Sequence, residues 1–398
     1  MKVIHISASY KPAYIYGGPI MSVAQLCQAL TECNTDNQVE VEVLTTTANG
    51  KTELNIDQEQ PILIDGVKVF YFKRLTKDHT HFSITLLWRL WKEIMGHKKA
   101  KTELVIHIHA WWNLVSILSC QISKYHHIEV ILSPRGMLTK YTLKNKNVSF
   151  KSIIHNIIGK RLLKYCHIHA TTEKEKKDIL QLVKPVSITV IPNLVFSPKL
   201  INSTCAPSLQ QHPFPTKNNT FKLIFLSRIE QKKGIELLLE SLSRLTIDWS
   251  LTIAGNGDQE YLNHLKLKAK KLSITEHLTW LGHVNNANKF NLIAAHELLL
   301  LTSYNENFAN VVIESLSVGT PVLISREVGL SDYVEANQLG WTANLNQEEI
   351  SKAIVNAYNN INARYKIRNT APQKIAADFD KKVLVRHYTF LYKKALDH

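Results

Sequence analysis

No stretch of the 398 residues approaches the roughly 18 consecutive apolar residues of a membrane-spanning helix. The opening run, MKVIHISASYKP, lacks the long apolar core of a secretory signal, so export is not expected. Cysteine is scarce: Cys27, Cys33, Cys120, Cys166 and Cys205 are odd in number, scattered, and never form a CxxC pair. That pattern argues against a disulfide framework or a zinc knuckle and suits a reducing, cytoplasmic setting. Low-complexity tracts and short-period repeats are missing too. Acidic residues are outnumbered 33 to 48 by lysine and arginine, a net charge of +15, which favours anionic partners. From Arg135 to Lys177 there are 11 basic residues against Glu173 and Glu175. A solvated helix face accounts for such a run, and so does attraction to an anionic membrane or a lipid-phosphate acceptor.

The chain is 45% hydrophobic and 20% charged, the balance of a folded protein long enough for two domains. Short β-branched runs alternate with helical patterns. Expected strands are Lys2–Ala8, Val39–Thr46, Val67–Phe72, Leu104–His109, Glu129–Ser133, His167–Thr171 and Ser187–Ile191. A second series follows at Lys222–Ser227, Ser250–Ala254, Leu278–Leu281, Leu298–Thr302 and Pro321–Ser325. Helix-length segments such as Pro19–Leu30, Gly234–Leu245 and Gln259–Leu272 lie between them. This succession implies an α/β fold of two Rossmann-like parallel-sheet domains, with ligands in a cleft at the carboxyl ends of the strands. Five prolines between Ile191 and Thr220 mark a linker. The expected domains are therefore 1–192 and 221–375, joined by 193–220. Residues 376–398, with a helical, aromatic Phe379–Leu396, would cross back onto the first domain. A further segment, Phe82–Met95, interleaves Trp88 and Trp91 with Arg89 and Lys92. Packing on the sheet is the commoner fate of such a helix, and lying on a membrane surface the alternative.

The sharpest local signal is SYNENFANVVIESLSVGTPV, Ser303–Val322. It follows an apolar run and reads as a helix over Asn307–Val318, with Glu306 before it and Glu314 within. Eight helical residues separate two side chains by ~80° around the axis and ~12 Å along it, a span that suits a sugar at one end and a ribose at the other. Backbone N–H groups at Phe308, Ala309 and Asn310 lie at the helix start, where orphan donors and the dipole attract phosphate. A Glu-x7-Glu spacing by itself is commonplace, and the flanking Phe308, Gly319, Thr320 and Pro321 are what distinguish it. The second signal is FLSRIEQKKGIELLLESL, Phe225–Leu242. Arg228 and Lys233 occupy the turn between a strand and the helix opened by Gly234, well placed to neutralise a diphosphate. Alone, this is a solvated basic turn.

Together with Ala254-Gly255-Asn256-Gly257, Leu281-Gly282 and Gly319-Thr320-Pro321-Val322, these motifs resemble the retaining GT-B glycosyltransferases of family 4 across essentially the whole C-terminal half. The resemblance implies that Arg228 and Lys233 bind the donor diphosphate, Glu306 the donor sugar and Glu314 the ribose. It departs from the family at Ala309, where members usually carry glycine; the added Cβ bears on how closely the backbone approaches the donor.

In the first half, Tyr16-Gly17-Gly18-Pro19 follows a strand and precedes a helix, as the family's first loop does, although a Gly-Gly pair is usually just a turn. His107 and His109 share one sheet face. In the family the second histidine of such an HxH reaches the donor sugar, which points to His109, while His107 reads as structural. Ser133-Pro134-Arg135-Gly136-Met137-Leu138 is similar to members that build bacterial surface polysaccharides, with Arg135 facing the acceptor or the donor phosphates, or simply paired with a carboxylate. His169-Ala-Thr-Thr-Glu173 and Ile191-Pro192-Asn193 resemble the family's later landmarks. A metal site at His107, His109, His167 and His169 lacks an acid or cysteine at ligand spacing.

The implied activity is transfer, with retention, of a sugar from a nucleotide diphosphate sugar to a hydroxyl of a glycan or lipid-linked acceptor. The resemblance implies no metal or other cofactor. The cysteine pattern suits a cytoplasmic location, and the basic run admits peripheral contact with anionic lipid at the inner face of the cell membrane. No nucleic acid partner is expected, since no motif for one is present. A sugar-nucleotide epimerase and a non-catalytic anion-binding protein are the competing readings.

Overall fold

The computed structural model describes residues 1–33, 39–56, 60–78, 80–139, 159–195 and 220–397. Most of the expected linker, 196–219, and the stretch 140–158 of the basic run lie outside the described residues, as does Cys205. The chain divides into two compact units, Met1–Leu194 with Phe379–His398, and Val195–Asp378.

The described strands of the first unit are β1 (Lys2–Ser7), β2 (Glu40–Thr46), β3 (Ala48–Asn49), β4 (Thr52–Glu53), β5 (Ile62–Ile64), β6 (Val67–Phe72), β7 (Leu104–His109), β8 (Val130–Ser133), β9 (His167–Ala170) and β10 (Ser187–Val190). They form one sheet in the order β10-β9-β8-β7-β1-β2-β6-β5, with β3 and β4 as a separate hairpin. Every pairing in the large sheet is parallel except β5 on β6. Near-continuous apolar strands such as LVIHIH demand cover on both faces. The helices α1 (Gly18–Glu32), α2 (Ile84–Ala100), α3 (Leu114–Tyr125), α4 (Lys160–Leu163) and α5 (Glu173–Leu180) belong to this unit.

Alternation along the strands builds two cores. Val3, Val105 and Ile131 pack with Leu26 and Leu30 of α1, whereas Ile4, Ile106 and Leu132 pack with Leu86, Leu90 and Ile94 of α2 and Val115 of α3. The terminal helix, Lys381–Leu396, returns to the first unit and joins the α1 core through Leu384, Tyr388, Leu391, Tyr392 and Ala395, a stripe at helical spacing. Its first turn is capped by the Asp380 side chain, which accepts from the Val383 N–H at 2.9 Å. As expected for Phe82–Met95, α2 packs on the sheet, and it does so through Leu86, Leu90 and Ile94, which leaves Trp88 and Trp91 55% and 43% exposed.

The second unit contains β11 (Phe221–Leu226), α6 (Ile235–Leu242), β12 (Trp249–Ala254), α7 (Gln259–Lys271), β13 (Leu278–Gly282), α8 (Asn286–Ala294), β14 (Leu298–Leu301), α9 (Asn310–Ser317), β15 (Val322–Ser325), α10 (Ser331–Ala336), β16 (Gly340–Ala343), α11 (Gln347–Asn359) and α12 (Ile361–Asp378). The all-parallel sheet runs β13-β12-β11-β14-β15-β16. Strand order reverses between β11 and β14, the switch point at whose carboxyl edge open parallel sheets take their ligands. The helix Lys381–Leu396 of the first unit is α13. Among the described residues no helix is long and apolar enough to cross a membrane.

Candidate active site

The loop after β11 runs through Arg228 to a short 3-10 turn, Gln231–Lys233, and Gly234 then hands the chain to α6. Gly234 has φ 68°, and a Cβ there would collide with the Thr302 carbonyl at the end of β14. Glycine is what lets the two loops of the reversal point lie against each other. Gly255 does the same after β12, with φ 143° and the Ser227 carbonyl in the way of any side chain.

This close approach brings the Lys233 ammonium to the Glu306 carboxylate as a hydrogen-bonded ion pair. Both are largely withdrawn from solvent, with side chains 10% and 22% exposed. The Lys232 carbonyl accepts from the Tyr304 N–H at 2.9 Å, a second tie between the loops. Burial pulls the Lys232 ammonium below its ordinary value, against the opposing pull of Glu306. Glu306 is held at the backbone: its N–H donates to the Glu327 carbonyl at 3.3 Å and its carbonyl accepts from the Gly329 N–H at 2.8 Å. Arg228 is half exposed, its guanidinium 2.7 Å from Glu230.

Glu314 forms a second pair. It lies on α9, and its carboxylate accepts from the Lys289 ammonium of α8 at 2.6 Å. The helix begins at Asn310 rather than Asn307, so Glu306 is in the loop and the helical estimate of its separation from Glu314 does not apply. Phe308 is buried just before the helix. Ala309 is its N-terminal cap, with φ 65° and ψ 75° in the left-handed region, which explains why glycine suits this position and why alanine is strained there. Lys289 and Lys232 escaped the sequence reading, since nothing local separates them from ordinary surface lysines.

In the first unit Gly17, with φ 70°, ends the 3-10 turn Tyr14–Tyr16 and caps α1. A Cβ on Gly18 would meet nothing within 4 Å, so the start of α1 is open to close approach. His109 is buried, its Nε2 2.9 Å from His5 Nδ1 and its Nδ1 3.4 Å from the Arg135 guanidinium. Arg135 also donates to Asn193 Oδ1 at 3.1 Å. The turn at Arg135, φ 52°, is held from below by Glu175, which accepts from the Gly136 N–H at 2.7 Å and the Thr171 N–H at 2.7 Å. Thr172-x-x-Glu175 is the spacing of a helix capping box, the one sequence signal that marks this acid.

Parallel pairing sets His5 beside His107 and Ser7 beside His109, and His109 beside Ser133. The polar groups of this sheet face meet α13 in a directed network. The Ile191 carbonyl can only accept, so His169 Nε2 carries the proton at 2.8 Å and its Nδ1 accepts from Ser133 at 2.7 Å. Ser133 then accepts from His107 Nε2 at 2.7 Å, and Tyr392 donates to His107 Nδ1 at 2.9 Å. Both His107 nitrogens are thus committed, although His5, His107 and His109 each offer a ligand atom within 4.8 Å of the others. His167, on the same strand as His169, is elsewhere engaged, with Ser187 and Glu129. Burial, and next for His5 the Arg135 charge, holds His5 and His169 down to about 3. His107 and His109 are likewise held well below the usual imidazole value, first by burial.

Two family models cover the chain: Glycosyltransferase Family 4 over residues 16–195, and Glycosyl transferases group 1 over residues 209–374. The chain belongs to the GT-B glycosyltransferases of family 4. An uncharacterized glycosyltransferase of Methanocaldococcus jannaschii is 24% identical over 100% of the chain and 99% of its own length. Sucrose-phosphate synthase from Thermosynechococcus elongatus shares the fold at a TM-score of 0.74 and 18% identity, covering 100% of this chain and 99% of its own. HepE of Anabaena, solved with UDP and glucose, does so at 0.72 and 16%, covering 99% and 100%. In this glycosyltransferase the strand order places the Arg228 to Lys233 loop and the Glu306 loop on the two sides of the strand reversal.

Two outcomes follow. Ala309→Gly relieves the left-handed strain and raises stability by about 1 kcal/mol in urea unfolding, while Ala309→Val lowers it; a loss on Ala309→Gly contradicts the assignment. The four network histidines stay neutral in the fold to well below 6.5, whereas in the unfolded chain they protonate near 6.5. The unfolded state therefore binds more protons below pH 6.5, and stability, complete above that value, falls as pH drops. Each ring contributes about 1.4 kcal/mol per pH unit. Thermal melts from pH 7.5 to 5 check this, and a midpoint that stays flat would refute it.

Proposed function

We propose that this glycosyltransferase moves a sugar from a nucleoside diphosphate sugar to an acceptor hydroxyl with retention of anomeric configuration. The observation that carries the reading is the Lys233–Glu306 pair at the strand reversal of the second unit, flanked by Arg228. In the free protein the pair keeps both charges compensated in a largely buried place. An arriving diphosphate offers Lys233 a second, stronger anion, and frees the Glu306 carboxylate to accept from sugar hydroxyls. Glu314, midway along α9 and paired with Lys289 of α8, does the same for the ribose hydroxyls.

The bond from the anomeric carbon to the β-phosphate oxygen breaks, and the acceptor oxygen bonds that carbon on the same face. The acceptor proton passes to the departing phosphate. Negative charge grows on the diphosphate as it leaves, so Arg228, Lys233 and the first-turn N–H groups of α9 act where charge develops, the arrangement that contributes most to catalysis. With these cations present the reaction requires no divalent metal. Gly17 and Gly18 give the first unit a loop that a ligand can approach closely. His109, expected from the resemblance to reach the donor sugar, is buried with its ring nitrogens engaged by His5 and Arg135, so it acts through Arg135, whose guanidinium it orients, and Arg135 faces an acceptor. The acceptor is a glycan or lipid-linked glycan of surface polysaccharide synthesis at the inner face of the cell membrane, a reading supported by the surface-polysaccharide resemblance around Arg135 and by the net charge of +15.

Glu306→Ala and Lys233→Ala are each expected to cut kcat/KM by at least about 100-fold while the far-ultraviolet dichroism is unchanged. Steady-state transfer or slow donor hydrolysis across a panel of nucleotide sugars measures it, and near-normal turnover in both variants would sink the assignment.

A further inference from the structure

The outer face of α2 is apolar as well as its inner one. Ile84, Trp88, Trp91 and Met95 are exposed by 56%, 55%, 43% and 40%. At about 100° per residue these four positions fall within an arc of roughly 60°, and they extend about 16 Å along the axis. Among the described residues no other helix carries more than two exposed large hydrophobic side chains. Leu86, Leu90 and Ile94 already anchor the helix on the sheet, so the outer stripe contributes nothing to the fold.

Charge borders the stripe on both sides. Lys92 and Lys99 fall on one flank and Lys98 on the other, all exposed, and the Lys92 ammonium sits 3.4 Å over the Trp88 ring. The helix has a single acid, Glu93, and that is turned away and neutralised by Lys2 and Arg89. Residues 73–101 carry eight lysines and arginines against two acids. Tryptophans between flanking lysines on a convex helix face match an acyl-headgroup boundary. The rings enter it, and the lysine stems reach back to anionic headgroups.

We propose that α2 docks on the surface of an anionic lipid bilayer through Trp88, Trp91 and their lysine flanks. The face belongs to the first unit alone, and its test needs no turnover, so it stands or falls separately from the donor chemistry.

Co-sedimentation of the full chain with vesicles provides that test, using phosphatidylcholine alone or with about one third phosphatidylglycerol. Wild type pellets with the mixed vesicles and stays in the supernatant with phosphatidylcholine. Trp88→Ser/Trp91→Ser, and separately Lys92→Glu/Lys98→Glu/Lys99→Glu, lower the bound fraction by at least about tenfold at an unchanged melting temperature. The proposal is overturned if wild type ignores the mixed vesicles, or if the tryptophan variant pellets as wild type does. It is also overturned if light scattering shows a wild-type dimer that Trp88→Ser/Trp91→Ser dissolves, since the face would then belong to a second copy of the chain.

Discussion

The Lys233–Glu306 ion pair is the interaction on which the candidate site depends. It joins the loop leaving β11 to the loop leaving β14, the two strands between which the sheet order reverses. Backbone constraints converge on the same place: Gly234 has no room for a side chain beside Thr302, and the N–H of Tyr304 is bound to the Lys232 carbonyl. An ion pair so withdrawn from water adds little net stability, because desolvation offsets most of the attraction. Its value lies in fixing an ammonium and a carboxylate side by side at the strand reversal.

The first unit uses the same parallel-sheet logic for a different end. Its buried polar residues are wired to one another across β1, β7, β8 and β9 and up to Tyr388 and Tyr392 of α13. One backbone carbonyl, that of Ile191, fixes the direction of the chain of hydrogen bonds. The terminal helix is therefore held by polar specificity as well as by its apolar stripe, and the turn bearing Arg135 is set by Glu175 beneath it.

Much of the fold was legible in the sequence because parallel strands buried on both faces read as continuous β-branched runs. Val67–Phe72 and Leu104–His109 coincide with the runs that marked them, whereas β3, β4, β5 and β16 are too short or too irregular to stand out. The order of their motifs singled out Arg228, Lys233, Glu306 and Glu314, and of these the structure pairs Lys233 with Glu306. What was not legible was pairing: Lys289 with Glu314, Tyr392 with His107 and Glu175 with Gly136 are contacts between residues far apart in the chain, with no local pattern to announce them. The helix boundary at Asn310 was misplaced because a left-handed residue, Ala309, interrupts a run that looks helical throughout. The packing of Phe82–Met95 on the sheet was legible, but not that Leu86, Leu90 and Ile94 carry it while Trp88 and Trp91 stay outside.

Calorimetric titration of nucleoside diphosphates into the protein tests the central claim most directly, since it asks only whether the loops leaving β11 and β14 form a diphosphate site. The account predicts that wild type binds UDP or GDP at one site and that Lys233→Met, checked for a native melt, weakens that binding by at least about tenfold. No binding of any nucleoside diphosphate by wild type, or equal binding by Lys233→Met, would contradict it.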